Sequence, residues 1–379
     1  MIAPGEVSAR PHLLSQDLRA LTVSLEQMGE KSFRARQIAA WVYERGAPSF
    51  EAMTDLSKLL RRRLAERFDL YRSQIVRRAV AADRTVKLLL QWPDGSTSEC
   101  VMMPSGDRST ACISSQVGCP VGCRFCASGL DGLQRNLTAG EIVEQTLRAK
   151  SEASNTGGRL TRLVFMGLGE PLANYREVLA AVRLINAPWG LNIGARKITI
   201  STVGLPKPIR RLADEGLQLN LALSLHAPNE SLRRALIPWA ERIPIAALAR
   251  ACRYYFDRTG REITLEYTLL HGTNDLAEHA RELAGLARTL RCHVNLIRYN
   301  PVASLPYRRP PSESAHAFQR ALRAHGVNSH IRVSRGLDID AACGQLRRAA
   351  REDAEQIESI AFDTAGTSQV AAAEAPPAP

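Results

Sequence analysis

The feature that most constrains the fold is a regular alternation of β-like and α-like segments between about Thr110 and Ser334. Amphipathic helical segments such as AGEIVEQTLRAK (139–150) and LAEHARELAGLARTL (276–290) separate the apolar runs. The alternation predicts an α/β fold with a parallel sheet, closed or partly closed as a barrel, with its chemistry at the C-terminal ends of the strands. The predicted strands are ACISSQ (111–116), RLVFMG (162–167), KITIST (197–202), QLNLALSLH (218–226), EITLEYTLL (262–270) and HVNLIRYN (293–300).

Two further regions precede the alternating one. Residues 1–72 are predicted to form a small helical domain, because segments such as FRARQIAAWVYERG have apolar residues at helical spacing. Residues 73–104 predict a short β unit, with PDGS (93–96) as a hairpin turn. The barrel core then covers 105–347, and 348–379 form a C-terminal extension. Its Ala/Pro-rich tail is expected to be disordered from about residue 364.

The charge of the chain indicates the class of partner. Lys and Arg number 50 against 38 Asp and Glu, which gives a formal net charge of +12. Such an excess favours a polyanionic partner, and nucleic acid above all, because neutralising phosphates releases counterions. Clustered arginines lie at 61–63, 77–78, 210–211, 233–234, 308–309 and 347–348.

The sequence also indicates a compartment. It has no apolar run near the ~18 residues that a membrane helix needs, and the segment MIAPGEVSAR lacks the apolar core of a signal peptide. We therefore expect a cytoplasmic monomer without membrane contact.

Eight cysteines in such a chain favour a metal, a cluster or redox chemistry over a disulfide framework. Cys100, Cys252 and Cys292 have apolar neighbours and are predicted to be core residues.

Three cysteines form a compact motif, SSQVGCPVGCRFCAS (114–128), directly after the first predicted strand. A structural zinc site usually takes two pairs of ligands, and no second pair is present. Cys119, Cys123 and Cys126 on one loop could instead bind three irons of a 4Fe–4S cluster and leave the fourth iron open.

Further polar residues follow the next strands. MGLGEP (166–171) ends the second strand, where Gly169 permits close backbone approach and Glu170 can accept hydrogen bonds. Polar residues also end three later strands, and together they form a credible ligand-binding set at one mouth of a barrel. These residues are Ser201, Ser224, His226 and Asn300.

Two other thiols stand apart from the cluster loop. Cys343 lies in GLDIDAACGQL (336–346), a polar and glycine-containing context that argues against a core position. Cys112 precedes the cluster loop by seven residues. If the two meet across the barrel mouth, they could carry out thiol chemistry on a reaction intermediate.

The cysteine spacing, with an aromatic residue before the third cysteine, resembles the radical S-adenosylmethionine (SAM) superfamily. That resemblance implies a partial (β/α)6 barrel and a SAM molecule that chelates the open iron. More specifically, the strings SSQVGC, MGLGEP, STVGL, LSLHAPN, YNP and DIDAACGQL are similar in content and order to the RlmN/Cfr family of RNA adenine methyltransferases. This resemblance covers about residues 95–347, and the N-terminal helices resemble that family's accessory RNA-binding domain.

The family resemblance implies a role for each matching residue. Cys343 would become S-methylated, Cys112 would resolve the intermediate through a transient disulfide with Cys343, and Glu99 would accept a proton. From the residue types alone, Glu99 can equally well be interpreted as a surface charge at a strand end. The cluster would be bound by Cys119, Cys123 and Cys126. The SAM contacts would be Gly169, Glu170, Ser201, Ser224, Leu225, His226 and Asn300.

The resemblance also implies a substrate. It implies methylation of carbon 2 of an adenine in 23S rRNA (adenosine 2503 in the family) and, as in some members of the family, of adenosine 37 in tRNA. The reaction would proceed through an S-methylcysteine intermediate and a transient protein–RNA crosslink, with two SAM molecules per turnover. The electron donor would be a protein such as flavodoxin or ferredoxin.

Two alternatives stay open at the level of the sequence. The quoted motifs are shared with enzymes that methylate carbon 8 of adenine. A non-catalytic RNA-binding protein stabilised by zinc or a cluster would explain the charge and the three clustered cysteines. It would leave Cys112 and Cys343 without a purpose.

Overall fold

The computed structural model describes residues 10–346, all of which belong to one compact unit, Met1–Arg348. The predicted C-terminal extension, 348–379, lies outside the described residues. Twelve strands occur in the described part. They are β1 (Gln74–Val80), β2 (Val86–Gln91), β3 (Thr97–Ser105), β4 (Arg108–Cys112), β5 (Gln116–Gly118), β6 (Leu133–Asn136), β7 (Arg159–Phe165), β8 (Ile198–Thr202), β9 (Asn220–Ser224), β10 (Ile263–Leu269), β11 (Cys292–Arg298) and β12 (Ser329–Arg332).

Ten of these strands form one sheet in the order β1-β2-β3-β4-β7-β8-β9-β10-β11-β12. Strands β1 to β4 are antiparallel neighbours, whereas β4 and all strands after it in this order run parallel. The end strands β1 and β12 do not pair, so the sheet is a partial barrel rather than a closed one. The predicted α/β class and partial barrel are confirmed.

Helices cover the sheet and connect its parallel strands. In α5, for example, Val178, Val182 and Ile185 recur at helical spacing and are buried. The α-helices are α1 (Leu18–Gln27), α2 (Phe33–Ala39), α3 (Lys58–Arg67), α4 (Ala139–Asn155), α5 (Tyr175–Asn186), α6 (Pro206–Asp214), α7 (Glu230–Leu236), α8 (Ile245–Thr259), α9 (Ala277–Ala287) and α10 (Ser312–Ala324). Among residues 10–346, no helix is long and apolar enough to cross a membrane.

The regions before the barrel follow the predicted order of elements. Helices α1 to α3 come first, and strands β1 to β3 follow, with the predicted PDGS turn between β2 and β3. The short β unit continues the barrel sheet, because β3 pairs with β4. The sheet therefore continues across the boundary proposed between residues 104 and 105. The proposed domain boundaries remain predictions.

The first predicted strand differs from the structure. ACISSQ (111–116) was expected as one strand, but β4 ends at Cys112 and β5 begins at Gln116 in a separate two-stranded sheet with β6. The chain leaves the main sheet at Ser114, whose Oγ donates to the carbonyl of Glu99 over 2.6 Å. Cys112 consequently occupies the C-terminal end of a barrel strand, where ligand sites of such barrels lie.

Candidate functional site

The cysteine motif lies in the loop between β5 and β6. The two strands pair antiparallel, and the amide of Cys119 donates to the carbonyl of Gly132 over 3.0 Å. Gly118 at the base of the loop has φ +77°, and a Cβ there would lie 1.9 Å from the Gly132 oxygen. The loop can therefore close in this way only with glycine at position 118.

A substitution at Gly118 tests this requirement. We expect Gly118→Ala to destabilise the loop by about 1–3 kcal/mol from the left-handed backbone alone, with a further cost from the clash. Iron content per chain after reconstitution and denaturant unfolding are the measurements. Gly95→Ala is the matched control, since Gly95 has φ +78° with open space around it. Equal effects of the two substitutions would contradict the proposed closure.

The three thiols of this loop line one cavity, the main cavity, of about 910 Å³ including its open mouth. Burial raises the pKa of Cys119 to about 12 and raises the pKa values of Cys123 and Cys126 as well. Each thiol also acts on a neighbour of the same set, so three thiolates would repel one another here. A positively charged iron core would relieve that repulsion.

The geometry distinguishes a cluster from a single ion. Within residues 10–346, no three His, Cys, Asp or Glu side chains converge closely enough to hold one metal ion. A tetrahedral zinc site requires such convergence. Cluster ligands bind separate irons and need not converge on one point. Three thiols are a donor set of the type that a 4Fe–4S cluster takes.

The MGLGEP segment forms a second wall of the main cavity. Gly169 has φ +101°, and a Cβ there would lie 2.6 Å from the Gln116 Cβ, so its packing requires glycine. The Glu170 carboxylate accepts from the amides of Leu172 (2.9 Å) and Val203 (2.7 Å). Burial raises the Glu170 pKa to about 7 despite these bonds.

Strand ends supply the remaining polar lining. Ser201 and Ser224, at the ends of β8 and β9, bring their hydroxyl oxygens within 3.2 Å of each other. His226 follows β9, and the Thr268 amide donates to its Nδ1 over 3.0 Å. Burial lowers the His226 pKa to about 3. The ring is therefore neutral, and its proton is on Nε2.

Two predicted SAM contacts lie elsewhere. Leu225 is fully buried and does not line the main cavity. Asn300 donates from Nδ2 to the carbonyl of Cys343 over 3.0 Å and accepts from Arg309 and Ser334. In this structure Asn300 thus holds the segment that contains Cys343.

That segment is attached to the cluster loop. The Ala127 amide donates to the Gly344 carbonyl (2.8 Å), and the Ser128 Oγ donates to the Leu346 carbonyl (2.7 Å). Cys343 consequently lines the main cavity beside the three cluster-loop thiols, although more than 200 residues separate it from them in sequence.

Cys343 also lines a second, smaller cavity, the thiol cavity, which contains Cys112, Met166 and Arg332. The two isolated thiols thus line the same cavity. Burial, and then Cys343, raise the pKa of Cys112 to about 12, whereas Arg332 acts to lower it. Nη1 of Arg332 lies 3.5 Å from the Met166 sulfur.

Glu99 is not a surface charge at a strand end. It lies within β3 and is buried, and its Oε1 pairs with Nζ of Lys87 over 3.1 Å. The same Nζ donates to the carbonyl of Asp340 over 3.2 Å, within the segment that contains Cys343. Lys87 therefore connects Glu99 to that segment.

Sequence reasoning missed two charged residues at the cavities. Arg332 ends β12, a four-residue strand whose sequence SHIR has no apolar run. Glu266 lies inside β10 and lines the main cavity. Its Oε1 accepts a hydrogen bond from Asn295, and its Oε2 has no hydrogen-bond partner among residues 10–346. The signal available for Glu266 was a carboxylate within the apolar run EITLEYTLL.

Comparisons with known proteins agree with this geometry. The family model described as the radical SAM superfamily matches residues 113–285. A second model, described as the ribosomal RNA large subunit methyltransferase N-terminal domain, matches residues 12–70. The fold and site therefore define the chain as a member of the radical SAM class of enzymes.

More specific matches cover almost the whole chain. The chain is 46% identical to a protein of Bacillus subtilis named as dual-specificity RNA methyltransferase RlmN, over 91% of this chain and 95% of that one. A Thermosynechococcus vestitus protein of the same name is 49% identical over 89% and 98%. A crystal structure of a radical SAM methyltransferase from Sphaerobacter thermophilus superposes with a TM-score of 0.87 at 48% identity, over 89% of this chain and 99% of that one. The chain belongs to the RlmN family of RNA methyltransferases.

Proposed function

We propose that this chain methylates carbon 2 of an adenine in two RNAs, adenosine 2503 of 23S rRNA and adenosine 37 of tRNA. One observation carries the proposal. Cys343 lines the main cavity together with the cluster-loop thiols and the thiol cavity together with Cys112. A thiol in that position can take a methyl group on one side and meet a second thiol on the other.

The first part of the site activates SAM. Cys119, Cys123 and Cys126 would hold a 4Fe–4S cluster, which supplies the electron that cleaves SAM to methionine and a 5′-deoxyadenosyl radical. Around it, His226 offers an Nε2–H donor. Ser201 and Ser224 offer a pair of hydroxyls, which can donate or accept.

The second part of the site carries the methyl group. Carbon 2 of adenine lies between two ring nitrogens and is electron-poor, so it cannot attack the methyl of SAM directly. The Cys343 thiolate is a good nucleophile and would take the methyl of a first SAM by displacement. Arg332 lines the same cavity as Cys343, and Cys343 raises the pKa of Arg332.

The third part releases the product. Hydrogen removal from the S-methyl group, after a second SAM is cleaved, leaves a carbon radical that adds to carbon 2 and links Cys343 to the RNA. Glu99 would accept the proton lost from the ring. The adduct would also give up its unpaired electron to the oxidised 4Fe–4S cluster, which donated one when SAM was cleaved. Attack of the Cys112 thiolate on the Cys343 sulfur would then break the bond between that sulfur and the methylene carbon, which takes up a proton to become the methyl group, and leave a disulfide. Reduction of that disulfide resets both thiols.

The RNA and the electron donor are the proposed partners. The net charge of +12 suits a polyanionic substrate, and a flavodoxin or ferredoxin would supply electrons. The cytoplasmic location and the monomeric state remain predictions.

A reconstituted assay tests the substrate and the position of methylation. Anaerobic enzyme, SAM and a reductant are incubated separately with 23S rRNA and with tRNA, and the nucleosides are identified by mass spectrometry. We expect 2-methyladenosine from both RNAs. Detection of 8-methyladenosine alone would overturn the assignment to carbon 2, and unmodified tRNA would restrict the substrate to rRNA.

A further inference from the structure

A buried arginine lies directly behind the cluster loop. Arg233 is on α7, and its side chain is fully buried, although it was counted above among the arginine clusters that favour nucleic acid. Its neighbour Arg234 is exposed. A buried guanidinium is costly unless an anion or hydrogen-bond acceptors compensate it, so its retention calls for an explanation.

The protein compensates this guanidinium only in part. Nη2 of Arg233 donates to the carbonyl of Val203 over 2.6 Å, and Nη1 donates to that of Ile243 over 3.4 Å. Its Nε has no hydrogen-bond partner among residues 10–346. Within the same described range, no carboxylate lies within 4.0 Å of the guanidinium. One donor is therefore left without a hydrogen-bond partner, and Glu230, the carboxylate that acts on the charge, forms no ion pair with it within 4.0 Å.

The candidate for the compensating group is a thiol of the cysteine loop. The α7 helix end packs on the cysteine loop, where the Arg124 amide donates to the Leu236 carbonyl over 3.0 Å. The Cys123 thiol packs against the same apolar cluster, which includes Leu236 and Phe125. Burial lowers the Arg233 pKa to about 10, whereas Cys123, and after it Glu230 on the same helix, act to raise it.

The same arginine is linked to the wall of the main cavity that the MGLGEP segment forms. Val203 accepts from Arg233 through its carbonyl and donates through its amide to Glu170 over 2.7 Å. Arg233 thus spans from the back of the cysteine loop to the MGLGEP segment. It does not itself line the main cavity, so it would act through Cys123 rather than on SAM or RNA.

We propose that Arg233 is a positioning residue that supplies a fixed, solvent-free positive charge behind Cys123 and raises the reduction potential of the cluster. The inference rests on the proposed ligation of the cluster by Cys119, Cys123 and Cys126. Reduction adds one negative charge to the cluster, and a nearby buried cation stabilises the more negative form. Net charge, solvent exposure and hydrogen bonds to sulfur are the levers that set cluster potentials, and Arg233 would act through the first of them.

Redox titration of the reconstituted full-length protein, followed by the electron paramagnetic resonance of the reduced cluster, tests the inference. Arg233→Gln should lower the equilibrium constant for one-electron reduction at least tenfold, which is about 59 mV for a one-electron couple. Arg233→Lys keeps the charge and should restore most of that loss. Arg234→Gln is the matched control, one position along the same helix, and should leave the potential unchanged.

The outcomes separate the inference from the proposed function. If the unaltered protein binds no 4Fe–4S cluster, the proposed function itself fails. If it binds one and Arg233→Gln keeps the same potential at full iron content, only the role of Arg233 is wrong. Loss of iron in Arg233→Gln with iron retained in Arg233→Lys supports the role of the charge. Equal loss in both variants contradicts it and makes Arg233 a packing residue.

Discussion

Cys343→Ala is expected to abolish RNA methylation, with a fall in rate of roughly a thousandfold or more. The reason is chemical: carbon 2 cannot take the methyl from SAM directly, and in the proposed route Cys343 carries that group. Cluster assembly should be unaffected, because Cys343 is not a predicted ligand. Methyl transfer from labelled SAM to RNA and the visible absorption of the cluster are measured on the same preparation.

The matched control for this substitution is Cys292→Ala. Cys292 is half-buried, as Cys343 is, but it begins β11 at the opposite end of the parallel strands and lines neither cavity. Full activity is expected from it. An active Cys343→Ala enzyme with a complete cluster would contradict the proposed methyl carrier, whereas cleavage of SAM without methylated RNA would agree with it.

Cys112→Ala has a different expected result, which is the accumulation of a covalent protein–RNA species. Without the second thiol, the link between Cys343 and adenine has no route to resolution. We expect turnover to fall to at most one methyl group per chain, with a product that migrates with the protein on a denaturing gel. Mass spectrometry of the digested species should assign the attached nucleoside to the Cys343 peptide.

The charges around Cys112 explain when it would react. Burial and the neighbouring Cys343 raise the Cys112 pKa to about 12, so Cys112 is a thiol at neutral pH in the resting enzyme. S-methylation prevents Cys343 from carrying a charge and so removes its contribution, while Arg332 still acts to lower the Cys112 pKa. The Cys112 pKa should therefore fall once the methyl group is in place, although burial, the larger cause, still raises it.

The control for Cys112→Ala is Cys100→Ala. Cys100 is equally buried, and burial raises its pKa as well, but it lies in neither cavity. It should leave turnover intact apart from a loss of stability. Normal turnover by Cys112→Ala without a covalent species would mean that another group resolves the intermediate.

Local patterns predicted the barrel because each of its main strands is an apolar run next to an amphipathic helix. They failed where tertiary contacts decide the structure. β4 is shorter than its apolar run because Ser114 turns the chain toward Glu99. β12 was missed because its four residues carry no apolar pattern, and with it the cation Arg332 was missed.

The sequence allowed the residues of the candidate site to be proposed one by one, but not their arrangement in space. The cysteine loop was recognisable from its spacing, since its ligands are close in sequence. The meeting of Cys112 with Cys343 depends on hydrogen bonds between distant segments, such as that from Ser128 to Leu346. Charge counting also misled in one place, because Arg233 is buried and cannot contact an RNA backbone.

The most direct test of the proposed route is the deuterium content of the product made from SAM with a fully deuterated methyl group. If Cys343 carries the methyl and a radical removes one hydrogen from it, the new methyl group on adenine should retain two deuterium atoms. The third should appear in 5′-deoxyadenosine. Retention of all three deuterium atoms, with none in 5′-deoxyadenosine, would mean that the methyl moves intact and would contradict the route through S-methylated Cys343.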